Sequence, residues 1–237
     1  VQHNMAASNA NRQLGISTNT LSKSTEKLSS GYRINRAADD AAGLSISEKM
    51  RSQIRGLNKA SSNAQDGISA IQTAEGALNE AHSILQRMNE LATQSANDTN
   101  TTADRTAVQS EVNALTNELS RIASTSQFNT QNLLDGTFTG KNLQVGALEN
   151  QKITISIGTM NAKALGVDSL NVKSFTKAGS AMTLIQKAIS KVSGQRSDLG
   201  ALQNRLEHTV NNLDNISENT QTAESRIRDT DMASEMV

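Results

Sequence analysis

The chain has 237 residues, 23 basic and 23 acidic side chains, and a formal net charge of zero at pH 7. This balance, with no long block of like charges, argues against a surface that follows nucleic-acid phosphates, so we predict no nucleic-acid partner. Aromatic residues make up 2% of the chain, and Trp, Pro and Cys are absent, which excludes disulfides and requires an aliphatic core. No apolar run is long enough to cross a bilayer and the N-terminus does not resemble a secretory signal peptide, so no membrane insertion is predicted.

Residues 3–30 carry a weak helical stripe in which apolar and small residues recur at alternating spacings of four and three. The stripe consists of Ala7, Ala10, Leu14, Ser17, Leu21, Ser24 and Leu28. Because several of these residues are small and polar, the sequence predicts a helix that orders mainly against partners. Gly31 and Tyr32 end the helix, and the charged residues 33–40 are predicted to form a connector.

The same spacing continues without proline through residues 44–96. This stripe consists of Met50, Ile54, Leu57, Ser61, Ala64, Ile68, Ile71, Glu75, Leu78, His82 and Leu85. A helix of about fifty residues is roughly 75 Å long, so the pattern predicts a rod that packs against other helices. Ser45 and Glu48 have the spacing of a capping box near its start, and a helix start a few residues earlier stays open.

A polar turn at residues 97–100 separates the long helix from a shorter one. Thr101 and Asp104 have capping-box spacing, and the short turn predicts an antiparallel neighbour. The helical period of this segment is carried by Val108, Val112, Leu115, Leu119 and Ile122.

Between Phe128 and Gly179 the apolar period changes to two. Ile153, Ile155 and Ile157 alternate with polar residues, which predicts short strands with at least one hairpin. From residue 180 the helical stripe returns at Ile185, Ile189, Val192, Leu199, Leu202, Leu206, Leu213 and Ile216.

These patterns predict a mainly α fold, an elongated antiparallel helical bundle that resembles a coiled-coil rod and carries a small β-hairpin region. We expect an N-terminal helix and connector at residues 1–42 and a rod domain at residues 43–237. The rod would consist of helices near 43–97, 102–125 and 180–230, with the β region at 128–179.

No arrangement of residues predicts catalysis. The three histidines, His3, His82 and His208, lack the spacing of a zinc signature, and a structural role is favoured for His82 on the apolar stripe. Asp39 and Asp40 are adjacent carboxylates, but neighbouring arginines more simply pair with them. The sequence therefore predicts no enzymatic activity, no metal and no cofactor.

Four segments closely resemble the bacterial flagellin family. They are LSSGYRINRAADDAAGLSISEKMRSQIRGL from Leu28, AQDGISAIQTAEGALNE from Ala64, LQRMNELATQSAN from Leu85, and LGALQNRLEHTVNNLDNISENTQTAESRIRDTDMASEM from Leu199. The resemblance covers residues 1–134 and 180–237. The segment between them corresponds to a short variable region, which implies a short type of flagellin.

The resemblance implies a structural subunit of the bacterial flagellar filament that serves motility and self-assembles as a homopolymer. Such a subunit is secreted by the flagellar export machinery and becomes extracellular. Residues 1–32 would belong to the inner tube of the filament and the rod to the outer tube. Flagellins continue beyond the position of Val237 into a second inner-tube helix, so that helix and the export-chaperone site on it are expected to be missing here.

The resemblance also implies that Toll-like receptor 5 recognises the monomer. The receptor-binding motif falls on Gln86, Arg87, Leu91, Gln94 and Glu111. Arg87 and Leu91 are one helical turn apart, so we expect an exposed cation beside an apolar anchor. The alternative interpretation is a solvated helix face whose charges keep the protein soluble.

Two further identities remain open from the sequence. A hook-filament junction protein would have related terminal helices. A flagellin with a protease in its variable segment would need a zinc motif and room for a domain, and residues 128–179 offer neither.

Overall fold

A computed structural model describes residues 4–237, which contain six helices and four short strands. The elements are α1 (Met5–Ser30), α2 (Ala41–Ser95), α3 (Thr102–Thr125), β1 (Gln127–Phe128), β2 (Gln131–Asn132), β3 (Lys141–Gln144), β4 (Lys152–Ile155), α4 (Ala162–Leu165), α5 (Phe175–Arg228) and α6 (Met232–Met236). The chain forms two compact units. The terminal unit takes in the chain up to Lys59 together with Leu213–Val237, and the central unit is Ala60–Asn212.

The long helices of the central unit pack antiparallel, as the sequence predicts. Arg87 on α2 contacts Glu111 on α3, and Arg105, earlier on α3, contacts the later α2 residue Ser95. Glu75 on α2 likewise pairs with Arg196 on α5 at 3.6 Å. The prediction of a mainly α, antiparallel helical fold with small β-hairpins is therefore confirmed.

The core of the central unit is aliphatic, as the composition requires. Its largest fully buried side chains include Ile71, Leu78, Leu85, Met88, Leu91, Leu119, Ile185 and Leu199. Leu206 is fully buried as well, whereas Ile68 is only half-buried at the margin of the core. Many of the remaining core positions are alanines, which let helices approach closely.

The β region consists of two antiparallel hairpins. In the larger one, Leu143 of β3 lies opposite Ile153 of β4, and Ile153 and Ile155 face the core, as their alternation predicts. The smaller hairpin, β1–β2, is not predicted by the sequence pattern. Its turn residues Asn129 and Thr130 have positive φ angles without a glycine, so the usual turn signal is missing.

Two predicted helix ends are confirmed. Gly31 closes α1 in the left-handed conformation with φ of 74°, and its N–H donates to Lys27 O at 2.8 Å. Thr101 and Asp104 form a reciprocal capping box at the start of α3.

The other two long helices begin before their apolar stripes. For α2 the earlier of the two starts left open is confirmed: the helix begins at Ala41, so Ser45 and Glu48 lie inside it, and the Asp40 carboxylate accepts the N–H of Gly43 at 2.8 Å. The last long helix, expected near residue 180, begins at Phe175. Ser174 accepts the N–H of Ala178 at 2.8 Å through its carbonyl oxygen, which starts the helical ladder earlier than the apolar stripe indicates.

Candidate interaction surfaces

The helix α1 presents apolar side chains that no described part of the chain covers. None of its residues is buried. Met5, Leu14 and Leu21 are 73%, 69% and 66% exposed, and Ile16 is exposed as well. Isolated exposed apolar residues are ordinary, but several on one helix mark a surface that binds a partner.

A shallow groove of about 480 Å³ lies between α1 and α6 in the terminal unit. Its apolar walls include Ile16, Leu21 and Leu28 from α1 and Met236 from the short helix. Lys27 and Glu235 form an ion pair across it at 3.4 Å. Leu14 lies seven residues before Leu21 and so shares its side of α1. We call this side of α1, with Leu14, Leu21 and Leu28, together with the groove, the terminal face.

Four of the five expected receptor-binding residues lie on the surface of the central unit. Gln86, Arg87, Gln94 and Glu111 are all exposed. The Arg87 guanidinium donates through Nε and Nη2 to Glu111 Oε1 at 3.1 and 3.0 Å and through Nη1 to Glu90 Oε2 at 3.1 Å. These bonds join α2 to α3 and raise the pKa of Arg87, first through Glu111 and then through Glu90.

The expectation that Leu91 is an exposed apolar anchor is wrong. Its side chain is 1% exposed and belongs to the core. α2 is covered by both α3 and α5, so its buried face is wider than one heptad stripe and takes in residues beside it. In this conformation Leu91 supports the helix that carries Arg87 and does not itself reach the surface.

Over residues 4–237, no group of three or more His, Asp or Glu side chains is placed to hold a metal ion. His82 is half-buried, and its Nε2 lies 3.1 Å from Gln86 Nε2. None of the described helices combines the length and hydropathy of a membrane span.

Two family matches cover most of the chain. Residues 1–139 match the bacterial flagellin N-terminal helical region, and residues 182–237 match the bacterial flagellin C-terminal helical region. The flagellin of Halalkalibacterium halodurans is 56% identical over all of this chain and 88% of its own length.

Solved structures show the same relationship. A crystal structure of Bacillus cereus flagellin matches 64% of this chain and 88% of its own with a TM-score of 0.56 and 33% identity. A putative flagellar hook-associated protein from Vibrio parahaemolyticus matches 81% of this chain and all of its own with a TM-score of 0.68, but at 12% identity it shares the fold alone. The family matches thus favour a filament subunit over a hook-filament junction protein. The chain belongs to the bacterial flagellin family and has the structural, non-enzymatic role of a flagellar filament subunit.

Proposed function

We propose that this flagellin polymerises through its terminal face, with residues 1–42 contributing to the inner tube and the bundle in residues 43–237 to the outer tube. The observation that supports the proposal is α1 itself, a 26-residue helix without a buried residue. A helix this poor in core contacts gains little from its own chain, and most helical stability in proteins comes from packing an apolar face. Neighbouring copies would supply that packing.

Replacing apolar residues of the terminal face tests this proposal. The double variant Leu14→Ser, Leu21→Ser removes two of the most exposed apolar groups of α1 and should abolish polymer formation in sedimentation and negative-stain microscopy. Leu148→Ser is the matched control, because Leu148 is 68% exposed but lies in the central unit. Polymerisation of the double variant at the wild-type rate would overturn the proposal.

We also propose that the subunit is secreted through the flagellar export machinery, which makes that machinery a partner and the protein extracellular. The support is membership of the family. Expression in matched bacterial strains with and without a working export apparatus tests it. The protein should accumulate in the medium of the first strain only, and equal amounts in both media would contradict it.

A second candidate function is recognition of the monomer by Toll-like receptor 5. What favours it is the exposed cluster of Arg87, Glu90 and Glu111, which joins two helices and offers a cation flanked by carboxylates. Gln86 and Gln94 lie on the same helix as Arg87 and add amide groups to the surface. Arginine is among the residues that most often dominate binding energies when docking removes it from water.

Binding of the monomer to the receptor ectodomain tests this candidate. Arg87→Ala should weaken binding by about tenfold or more while leaving the fold intact. The matched control is Arg121→Ala, because Arg121 also pairs with a glutamate three residues away, Glu118, and is similarly exposed. Unchanged affinity of a folded Arg87→Ala protein for the receptor would refute the cluster around Arg87 as the recognition site.

A further inference from the structure

Tyr32, the only tyrosine of the chain, sits under two arginines in the terminal unit. The guanidinium carbon of Arg228 lies 4.8 Å from the centre of its ring and that of Arg51 lies 5.5 Å away. Arg51 Nη2 also donates to the Tyr32 hydroxyl at 3.2 Å. The ring thus contacts one cation from α2 and one from the end of α5, both within the range of a cation–π interaction.

Two glutamates offset the charge of these arginines. Arg51 Nε lies 3.2 Å from Glu224 Oε1, and Arg228 Nη1 donates to Glu48 Oε1 at 2.8 Å. Glu224 is 8% exposed, and its Oε1 makes no hydrogen bond within residues 4–237, so this pair is held by charge. A carboxylate this buried is costly unless a cation stays beside it, which ties Arg51 to its position.

Main-chain hydrogen bonds also join the segment around Tyr32 to the end of α5. Tyr32 forms an isolated antiparallel bridge with Asp229. Arg33 donates its N–H to Arg228 O at 2.7 Å, and Thr230 donates its N–H to Gly31 O at 3.0 Å. The segment after α1 and the segment after α5 are therefore joined by main-chain bonds directly beside the ring.

This junction immediately precedes α6. Asp231 caps that helix by accepting the N–H of Ala233 at 3.0 Å, one residue after the bond from Thr230 to Gly31. Four residues beyond the cap, Glu235 pairs with Lys27 of α1. The contacts around Tyr32 thus set where α6 begins relative to α1, and the groove lies between those two helices.

We propose that Tyr32 is a positioning residue of the terminal face: held by Arg51 and Arg228, it fixes α6 against α1 and so preforms the apolar groove that another copy would cover. The inference rests on the proposed polymerisation, because it names what prepares that surface. The ring itself need not touch the neighbouring copy. It acts through the hydrogen bonds on either side of it.

Hydrogen exchange of the monomer tests the positioning role directly. Tyr32→Leu keeps an apolar side chain but loses both cation–π contacts and the bond to Arg51. Exchange at the Thr230, Ala233 and Ser234 amides should become about tenfold faster or more. Tyr32→Phe keeps the ring and should stay near the wild-type rate. Wild-type exchange at these amides in Tyr32→Leu would overturn the proposal.

The single tyrosine also provides a spectroscopic readout, since the chain has no tryptophan. Arg228→Ala should make Tyr32 fluorescence about twofold or more easier to quench with acrylamide. Arg226→Ala is the matched control, an exposed arginine two residues away on the same helix that makes no ion pair within residues 4–237. Equal quenching in the two variants would contradict a specific role for the Arg228 contact.

Polymerisation of Tyr32→Leu tests whether the position of α6 in the monomer matters for assembly. We expect slower assembly of this variant, with the central unit unfolding at the wild-type temperature. Assembly at the wild-type rate despite faster exchange would show that α6 need not be preplaced and would overturn the inference. Failure of the wild-type protein to polymerise would instead refute the proposed function, while the exchange experiment on the monomer would still decide the role of Tyr32.

Discussion

Two glycines on α2 have different surroundings. A methyl group on Gly76 would have no neighbour within 4 Å, whereas one on Gly67 would collide with Leu143 Cδ1 of the β3–β4 hairpin. Gly76→Ala should therefore stabilise the protein by about 0.5–1 kcal/mol through helix propensity. Gly67→Ala should lower the free energy of unfolding by about 1 kcal/mol, because Leu143 must leave its contact. Urea denaturation measures both, and a similar gain from the two substitutions would contradict the packing of the hairpin on α2.

Burial also determines how much stability is lost when a charge is placed on the predicted stripe. Leu206→Asp should lower the free energy of unfolding by several kcal/mol, because the residue is fully buried. Ile68→Asp should cost less, since Ile68 is half-buried and its carboxylate can reach water. Asp98→Ala is the control, with a side chain 84% exposed and an expected change within about 0.5 kcal/mol. Thermal unfolding that ranked Ile68→Asp as the most damaging would reverse the assignment of faces.

At the scale of elements, a buried glutamine holds the segment before α5 against α3. Gln109 is 7% exposed, donates to Leu170 O at 2.9 Å and accepts the N–H of Val172 at 2.8 Å. Ser95 of α2 donates to Val172 O from the other side. The irregular chain between α4 and α5 therefore has its buried polar groups satisfied by two helices.

Replacing Gln109 tests this clamp. Gln109→Leu should lower the free energy of unfolding by about 1–3 kcal/mol, because it leaves a buried carbonyl and a buried N–H without partners. Ser110→Ala, next to it on the exposed side of α3, should have little effect, since the Ser110 hydroxyl donates to Thr106 O in the preceding turn of the same helix. A stability of Gln109→Leu equal to that of Ser110→Ala in chemical denaturation would refute the clamp.

The elements that the sequence predicts are those with a local, repeated pattern of burial. Leu78 and Leu85 recur at heptad spacing and lie in the core, and Ile153 and Ile155 alternate and face it. Outside such a repeat, the burial or the role of a residue depends on contacts with other elements, which a local sequence pattern does not show. Leu91 is buried because a second helix covers α2, and the role of Tyr32 depends on Arg228, which lies 196 positions later in the chain. The short elements α4, α6 and β1–β2 are not predicted because each has at most five residues, too few to carry a repeated apolar period.

Across the whole molecule, the two units use apolar residues differently. The central unit buries its leucines, isoleucines and alanines in one core, whereas α1 of the terminal unit leaves Met5, Leu14, Ile16 and Leu21 exposed. With 2% aromatic residues, the chain has few large side chains to cover such a surface. A family of filament subunits accounts for this distribution, because neighbouring copies would bury what one copy leaves open.

The most direct measurement of this account is hydrogen exchange of α1 in the monomer and in the sedimented polymer of the full chain. The account predicts that the α1 amides of the monomer are much less protected than those of α2, α3 and α5 in the central unit. In the polymer, α1 should gain protection of at least about a hundredfold and the central unit should change little. Strong protection of α1 in the monomer, or equally fast exchange of α1 in monomer and polymer, would contradict assembly through the terminal face.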